Sequence, residues 1–303
     1  MTKQLSILIP LYNHDVVPLI TDLHRQVTAT GAAFEILLLD DQSDAGYEEK
    51  NSLLSAFQQV KMYKLPSKAG RSVARNFLAA QAKYDYFLFM DCDTEIPDEK
   101  FVERYLTYCD GQEVVVCGGT LYHENHPQRE YLLRWTYGVK NEVKPAAVRN
   151  RHPNDHFQAF NFLIHRKLFM SIRFNELLKN YGHEDTLFRY ELTKRNIQVI
   201  HIDNPLYHVG IDSNLVYLEK TRQGVENLKL LMESSESQKL ICHMRLLRYY
   251  QVFRKTRTVF VLFGLFLVCR KLIIHNLNGR HPNMALFNFY KLGYLCSLKY
   301  NKI

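Results

Sequence analysis

The chain predicts an α/β fold in which a mostly parallel, mixed central sheet carries helices on both faces and a basic helical segment follows. Three observations lead there. Strand-length apolar runs alternate with amphipathic ones over the first hundred residues, acidic residues cluster just after those runs, and basic charge is concentrated beyond Lys239. Strand-helix repetition of this kind buries a parallel sheet between helical layers, and such sheets bind ligands beyond the carboxyl ends of their strands.

Leu5 to Ile9, Phe34 to Leu39, Val60 to Leu65 and Tyr84 to Met90 read as strands. They are short and weighted towards residues that pack on a pleated surface. Val16 to Thr30, Tyr47 to Gln59 and Ala69 to Lys83 read as the intervening helices. Polar residues gather where the strands end: Pro10-Leu11-Tyr12-Asn13 after the first, Asp40-Asp41-Gln42-Ser43 after the second, Asp91-Cys92-Asp93 after the fourth. His183-Glu184-Asp185 stands further along. Carboxylates crowded at one crevice repel one another unless a cation or hydrogen-bonding ligand offsets the repulsion, which points to a divalent metal and an anionic nucleotide. A Gly-x-Gly-x-x-Gly turn after the first strand and a Gly-Lys-Ser/Thr loop are both absent, so dinucleotide and P-loop chemistry lose weight.

Length and charge set further bounds. A chain of 303 residues suffices for one large catalytic domain with an appended segment, or for two small domains. Lys and Arg outnumber Asp and Glu by 39 to 31, but 12 of the basic residues and none of the acidic ones lie between Lys239 and Ile303. Charge confined to a tail rich in Phe, Leu and Tyr suggests an anionic membrane surface rather than nucleic acid, with a helical bundle bearing a solvated basic face as the plainer reading. The six cysteines form no Cys-x-x-Cys pair, which fits reduced thiols in cytoplasm. Met1 to Gln4 is polar and Leu5 to Pro10 is too short and too β-prone to read as an export sequence, so a cytoplasmic location is expected. The longest apolar run, Val259 to Cys269, would extend only ~16 Å as a helix against a hydrocarbon core of ~30 Å, so an interfacial or core position is expected.

Five segments, in order, resemble the family 2 glycosyltransferases of the GT-A fold: Ser6 to Asn13, Asp40 to Ser43, Gly70-Arg71 to Arg75-Asn76, Asp91-Cys92-Asp93 and Glu184-Asp185. The similarity covers roughly residues 4 to 210. It implies a catalytic domain over 1–238, with a nucleotide-binding half over 1–120 and an acceptor-binding half over 121–238, and leaves 239–303 as an amphipathic basic appendage. It also implies that Pro10 and Tyr12 line a base pocket, that Asp41 with Asp40 beside it bonds a uracil edge, and that Arg71 meets the diphosphate or the base-binding aspartate. Asp93 is then the residue that touches Mn²⁺ or Mg²⁺, Asp91 serves the ribose or acts through water, and His208 completes the metal shell. Asp185, next to Glu184, is the general base.

The residue chemistry is compatible with those roles. A carboxylate is acceptor-only and suits an imide N–H, a tyrosine ring offers a flat stacking face, and hard oxygen ligands suit Mg²⁺ or Mn²⁺. Each residue also has an ordinary use. Tyr12 can pack at a strand end, Asp40 and Asp41 can make Asx turns, Arg71 and Arg75 can be solvated, Asp91 and Asp93 can shape a turn, His208 can face solvent, and Asp185 can meet a helix dipole.

Cys117 to Lys167, with Tyr131, Trp135, Tyr137, Phe157, Phe160 and Asn161, is expected on the acceptor side, and Tyr122 to Phe157 as a polar lid. The resulting expectation is an inverting, metal-dependent hexosyl transfer from a nucleotide sugar, UDP-linked, to a glycan or lipid-linked acceptor in surface polysaccharide synthesis. The alternatives are a non-catalytic nucleotide or glycan-binding module and a sugar nucleotidyltransferase. With the cytoplasmic location expected above, the tail adds a peripheral position on the inner membrane face. Its helices Leu240 to Phe253 and Val259 to Lys271 either lie in a lipid headgroup layer, or cover the catalytic domain or form a dimer contact.

Overall fold

A computed structural model describes residues 3–125, 127–178, 181–233 and 244–300. In chain order the elements begin β1 (Gln4–Leu11), α1 (Val17–Ala29), β2 (Ala33–Asp40), α2 (Ala45–Asn51), β3 (Val60–Lys64), α3 (Arg71–Gln81), β4 (Tyr86–Met90), β5 (Thr94–Glu95) and α4 (Phe101–Leu106). There follow β6 (Val115–Cys117), β7 (Thr120–Leu121), α5 (Leu132–Asn141), α6 (Ala146–Arg149), β8 (Asn161–His165), α7 (Arg166–Ile172), α8 (Glu184–Lys194), β9 (Val199–His201) and β10 (Leu206–His208). The last helices are α9 (Asn214–Glu233), α10 (Arg245–Lys255), α11 (Val259–Leu277) and α12 (Met284–Ser297).

Two compact units result. The first comprises Met1–His123, Glu142–Lys179 and Glu184–Gly210; the second comprises Glu124–Asn141, Asn180–His183 and Ile211–Ile303. All ten strands among the described residues belong to the first.

Seven of them form one sheet in the order β3-β2-β1-β4-β8-β6-β9. β1 pairs parallel with β2 and β4, β2 with β3, and β6 with β9, while β8 runs antiparallel to both of its neighbours. The sheet is therefore mixed, as expected from the sequence. The central strands β1, β2, β4, β6 and β8 are buried on both faces, so successive residues feed different cores, while the edge strand β3 is largely exposed. Leu5, Ile7 and Ile9 pack with Leu19, Leu23, Phe101 and Tyr105, whereas Leu8, Leu37, Phe87 and Phe89 pack with Leu78, Phe169 and Phe188. Two buried polar residues of this sheet pair with each other: the Ser6 hydroxyl donates to Glu35 at 2.6 Å, and the Lys83 N–H donates to the same oxygen at 2.6 Å. A buried carboxylate with two donors is tolerable because its hydrogen bonds replace those lost to water.

A second sheet, β5-β10-β7, has three short strands. β10 runs antiparallel to β5, with His208 opposite Thr94, and parallel to β7. Asn161 braces the turns beside it: its Nδ2 donates to the Gly119 and Asn204 carbonyls at 3.1 and 2.9 Å, and its Oδ1 accepts from the Tyr105 hydroxyl at 2.8 Å.

Two expectations change here. The helix predicted over Tyr47 to Gln59 is split into α2 and a 3-10 turn at Ser52–Ala56, because buried Asn51 turns inward and holds the first loop: its Oδ1 accepts from the Val16 N–H at 3.0 Å, and its Nδ2 donates to the His14 carbonyl at 2.9 Å. The stretch Tyr122 to Phe157, expected as a polar lid, contains α5, α6 and two 3-10 turns. Phe157 is core, stacked on Phe188 at 5.1 Å, and Asn161 is the buried brace just described, so neither faces an acceptor.

The second unit is helical. Leu133, Tyr217, Leu218, Phe266, Ile273, Leu277, Phe287 and Tyr290 make its core. Gly293 lets α12 lie close to α11, since a Cβ there would sit 2.4 Å from the Phe266 ring. The predicted helix Leu240 to Phe253 is seen as α10; residues 240–243 lie outside the described ones. The run ending at Cys269 continues as helix to Leu277, with Lys271 exposed while Ile273 and Leu277 stay on the packed side. At 19 residues α11 passes the length and composition test for crossing a membrane, the single helix to do so among the described residues. Cys92, Cys109, Cys117, Cys269 and Cys296 are free thiols.

Candidate active site

The carboxyl ends of β1, β2 and β4 place the acidic residues in one region of the first unit. Leu11 and Asp40 are register partners, and the Asp41 N–H donates to the Leu11 carbonyl at 2.8 Å. The loops beyond are interlocked. The Asn13 side chain donates to Asp44 at 3.0 Å and accepts from the Asp44 N–H at 2.8 Å, and the Asn13 N–H donates to the Ser43 hydroxyl at 2.8 Å.

Pro10 closes β1, half-buried. Tyr12, just past it, is 45% exposed, and the Lys68 ammonium stands 3.5 Å from its ring centroid. Asp40 is buried and accepts from the Ser43 N–H at 2.9 Å, the turn-shaping role weighed above. Asp41 accepts from the Ala69 and Gly70 N–H groups at 2.7 and 2.9 Å. This carboxylate thereby positions the start of α3, where Gly70 adopts φ 85, a conformation that favours glycine.

Arg71 and Arg75 both turn towards Asp91, but unequally. Arg71 Nη1 lies 3.8 Å from Asp91 Oδ2 with much of its side chain in solvent, while Arg75 Nη2 donates to Asp91 Oδ1 at 2.7 Å with its side chain 2% exposed. Arg75 Nε and Nη1 are buried without hydrogen-bond partners, and the guanidinium stands 5.1 Å from the Phe174 ring centroid. Of the two arginines, either of which can meet an anionic group, the sequence favours Arg71; Arg75 is the one that sits at the centre. A signal was present, since Arg75 shares the side of α3 that buries Ala74, Leu78 and Ala79.

Asp93 and His208 meet although 115 positions apart. His208 Nε2 lies 3.1 Å from Asp93 Oδ2, while Asp93 Oδ1 and His208 Nδ1 are buried without partners. Burial alone would push the Asp93 carboxyl up, but the His208 hydrogen bond and the charges of His208, Arg71 and His14 outweigh it and hold the group well below the usual range. Gly210 permits the approach: a Cβ there would fall 2.5 Å from the Asp93 Cβ. Tyr122 and Phe160 pack edge-on against the imidazole at 5.5 and 5.3 Å.

Glu184 and Asp185 open α8. Asp185 Oδ2 accepts from the Ala159 N–H at 3.1 Å, and Oδ1 is buried without a partner. Burial, then the neighbouring Glu184 charge, pushes the Asp185 carboxyl up to about 7 against the opposing pull of Arg75 and the Ala159 N–H. A carboxyl poised there accepts a proton readily near neutral pH.

These contacts tie the predicted residues together. Asp41 holds the start of α3, α3 presents Arg71 and Arg75 to Asp91, the Arg75 charge acts on Asp185, and the Arg71 charge acts on Asp93. Asp93 offers a hard carboxylate and His208 a borderline imidazole nitrogen, each with an unsatisfied buried atom, a donor set that fits Mn²⁺ and, through the carboxylate, Mg²⁺. Among the described residues no group of three His, Cys, Asp or Glu side chains stands at ligand spacing, so these two would hold the ion with phosphate oxygens and water filling the shell.

The chain is similar to known proteins. The sequence matches "Glycosyl transferase family 2" over residues 6–173. An uncharacterized glycosyltransferase of Haemophilus influenzae is 25% identical over 197 residues, covering 65% of this chain and 74% of that protein. Chondroitin synthase of Pasteurella multocida is 28% identical over 159 residues, half of this chain but only 16% of the synthase. The mannosyltransferase PcManGT of Pyrobaculum calidifontis, solved with GDP-Man and Mn²⁺, superposes with a TM-score of 0.54 at 11% identity over 99% of this chain and 87% of that one.

The mixed sheet with its carboxylate-bearing strand ends is thus the GT-A architecture of glycosyltransferases. The chain belongs to glycosyl transferase family 2.

Proposed function

We propose that this chain is an inverting, metal-dependent glycosyltransferase that moves a hexosyl group from a UDP-sugar to a hydroxyl of a glycan or lipid-linked acceptor in surface polysaccharide synthesis, working on the cytoplasmic side. The reading rests on the unpartnered Oδ1 of Asp185, a buried carboxyl raised to about 7 on the same Arg75-centred network as Asp91. Residues 1–120 carry the nucleotide side in this proposal, and the rest of the catalytic domain serves the acceptor.

Tyr12 supplies an exposed ring for the base once Lys68 yields that face, and Asp41 offers its remaining lone pairs to a uracil imide. Asp91, fixed by Arg75, is placed for the ribose. Asp93 and His208 would hold Mn²⁺ or Mg²⁺, which supplies positive charge opposite the departing diphosphate. Arg71 adds a guanidinium beside the same group. The acceptor oxygen forms its bond to the anomeric carbon as its proton passes to Asp185 Oδ1, and the carbon–oxygen bond to the diphosphate breaks with its electron pair leaving on phosphate. Glu184 keeps Asp185 basic by charge repulsion. A single base and a single displacement invert the anomeric carbon.

Calorimetric titration with UDP, with and without Mn²⁺, tests the donor and metal assignments. Metal-dependent UDP binding that disappears in Asp93→Ala is expected, and metal-independent binding would remove the Asp93–His208 assignment. Slow hydrolysis across a panel of nucleotide sugars identifies the donor, and no turnover of any of them would favour a binding module instead.

A further inference from the structure

The second unit carries an apolar face that its own fold leaves in solvent. From Val259 to Cys269, α11 is apolar around its whole circumference. Val259, Phe266, Ile273 and Leu277 are buried within the unit, while Val261, Leu265, Val268 and Leu272 form an outward stripe at helical spacing, each between 50% and 79% exposed. Phe260 and Leu267 widen it, at 63% and 46%. A helix apolar on both sides is normally enclosed by protein or by lipid, and a contiguous patch of this kind marks an interaction surface.

The charges beside it select the partner. Residues 244–300 contain ten Lys and Arg and no Asp or Glu. Arg254, Lys255 and Arg257 lead directly into α11, Lys271 lies on its outward side, and Arg245 and Arg248 flank the exposed Tyr249 and Val252 of α10. A second copy meeting this face symmetrically would bring the same cations together with no carboxylate among them, and like charges across an interface disfavour association. Nucleic acid would satisfy the cations and leave the leucines and valines in water. An anionic bilayer satisfies both, with acyl chains against the stripe and headgroups around the basic rim.

We propose that α11 lies along an anionic lipid surface, its Val261-Leu265-Val268-Leu272 stripe at acyl depth and Arg254, Lys255, Arg257 and Lys271 at the headgroups. This inference stands on the second unit alone and is independent of the transfer reading. Cosedimentation of the full chain with phosphatidylcholine vesicles, with and without phosphatidylglycerol, tests it. Wild-type protein is expected to pellet with the anionic vesicles, less so as salt rises, and not with phosphatidylcholine alone. Leu265→Ser/Val268→Ser/Leu272→Ser, all at exposed positions, is expected to lower partitioning about tenfold or more. Arg254→Gln/Lys255→Gln/Arg257→Gln, which leaves the apolar stripe whole, is expected to abolish the preference for anionic lipid. Absence of pelleting, equal pelleting by wild type and the triple serine variant, or a dimer in sedimentation velocity that the serine variant dissolves would each overturn the proposal. Nucleotide-sugar hydrolysis without vesicles is expected to be the same in all three proteins.

Discussion

Replacing Asp185 with Asn should stabilise the protein while removing its activity, and the stabilisation should depend on pH. The unfolded carboxyl ionises at its ordinary 3.8, but in the folded chain burial pushes it up to about 7. Between those values the native state holds a proton that the unfolded state releases. Stability supplied by that proton is complete below the lower value and is lost as pH rises through the upper one. Three units correspond to about 4 kcal/mol at ~1.4 kcal/mol each, a ceiling because part of the residue outside the sealed Oδ1 still reaches water. Asn keeps an acceptor for the Ala159 N–H and carries no charge to bury. Urea denaturation at about pH 8 should therefore show Asp185→Asn more stable than wild type by up to about 4 kcal/mol, with more than half of that difference gone by about pH 5. Turnover should fall by ~10²–10⁴ as for loss of a general base, and wild-type activity should rise with pH through about 7. A stability difference equal at both pH values would show that the carboxyl is not sealed from solvent, and the argument for its basicity would fail with it.

Arg75→Met should destabilise by about 3–5 kcal/mol, because it strips a buried carboxylate of its partner, and should also move the acidic limb of the pH–rate profile upward; Arg71→Met, at a solvent-facing guanidinium, should cost under ~1 kcal/mol of stability, as judged by thermal melts. Gly210→Ala should displace Asp93 and weaken Mn²⁺-dependent UDP binding at least tenfold by calorimetry, since the new methyl would meet the aspartate side chain at 2.5 Å. Tyr12→Ala should weaken UDP binding by about 1 kcal/mol through lost stacking without altering the melting temperature, its ring being exposed in the free chain.

The legible part of the fold was the part built from local pattern. β1, β2 and β4 match their apolar runs to within two or three residues, because strands buried on both faces must be continuously apolar. The position of β8 between β4 and β6 was not legible, since antiparallel insertion of a strand 71 residues further along depends on long-range pairing that no local run records. Asn51 broke a helix through two hydrogen bonds to a distant loop, again invisible locally. At the site, residue types announced Asp91, Asp93 and Asp185. The choice between Arg71 and Arg75 turned on depth, and a shared helix stripe does not reveal which member lies beneath the other. α11 shows the same limit: its apolar run was plain, but which half of its circumference the protein itself covers is a tertiary fact.

The pairing of β10 with β5 spans only two residue pairs, Tyr207 with Glu95 and His208 with Thr94. Because side chains alternate across a strand, one residue inserted between Asn204 and Tyr207 would turn the imidazole to the opposite side of that ribbon and bring the tyrosine round in its place. Spacing in this short connection, more than the identity of its residues, decides whether the chain has an intact histidine–aspartate couple at all.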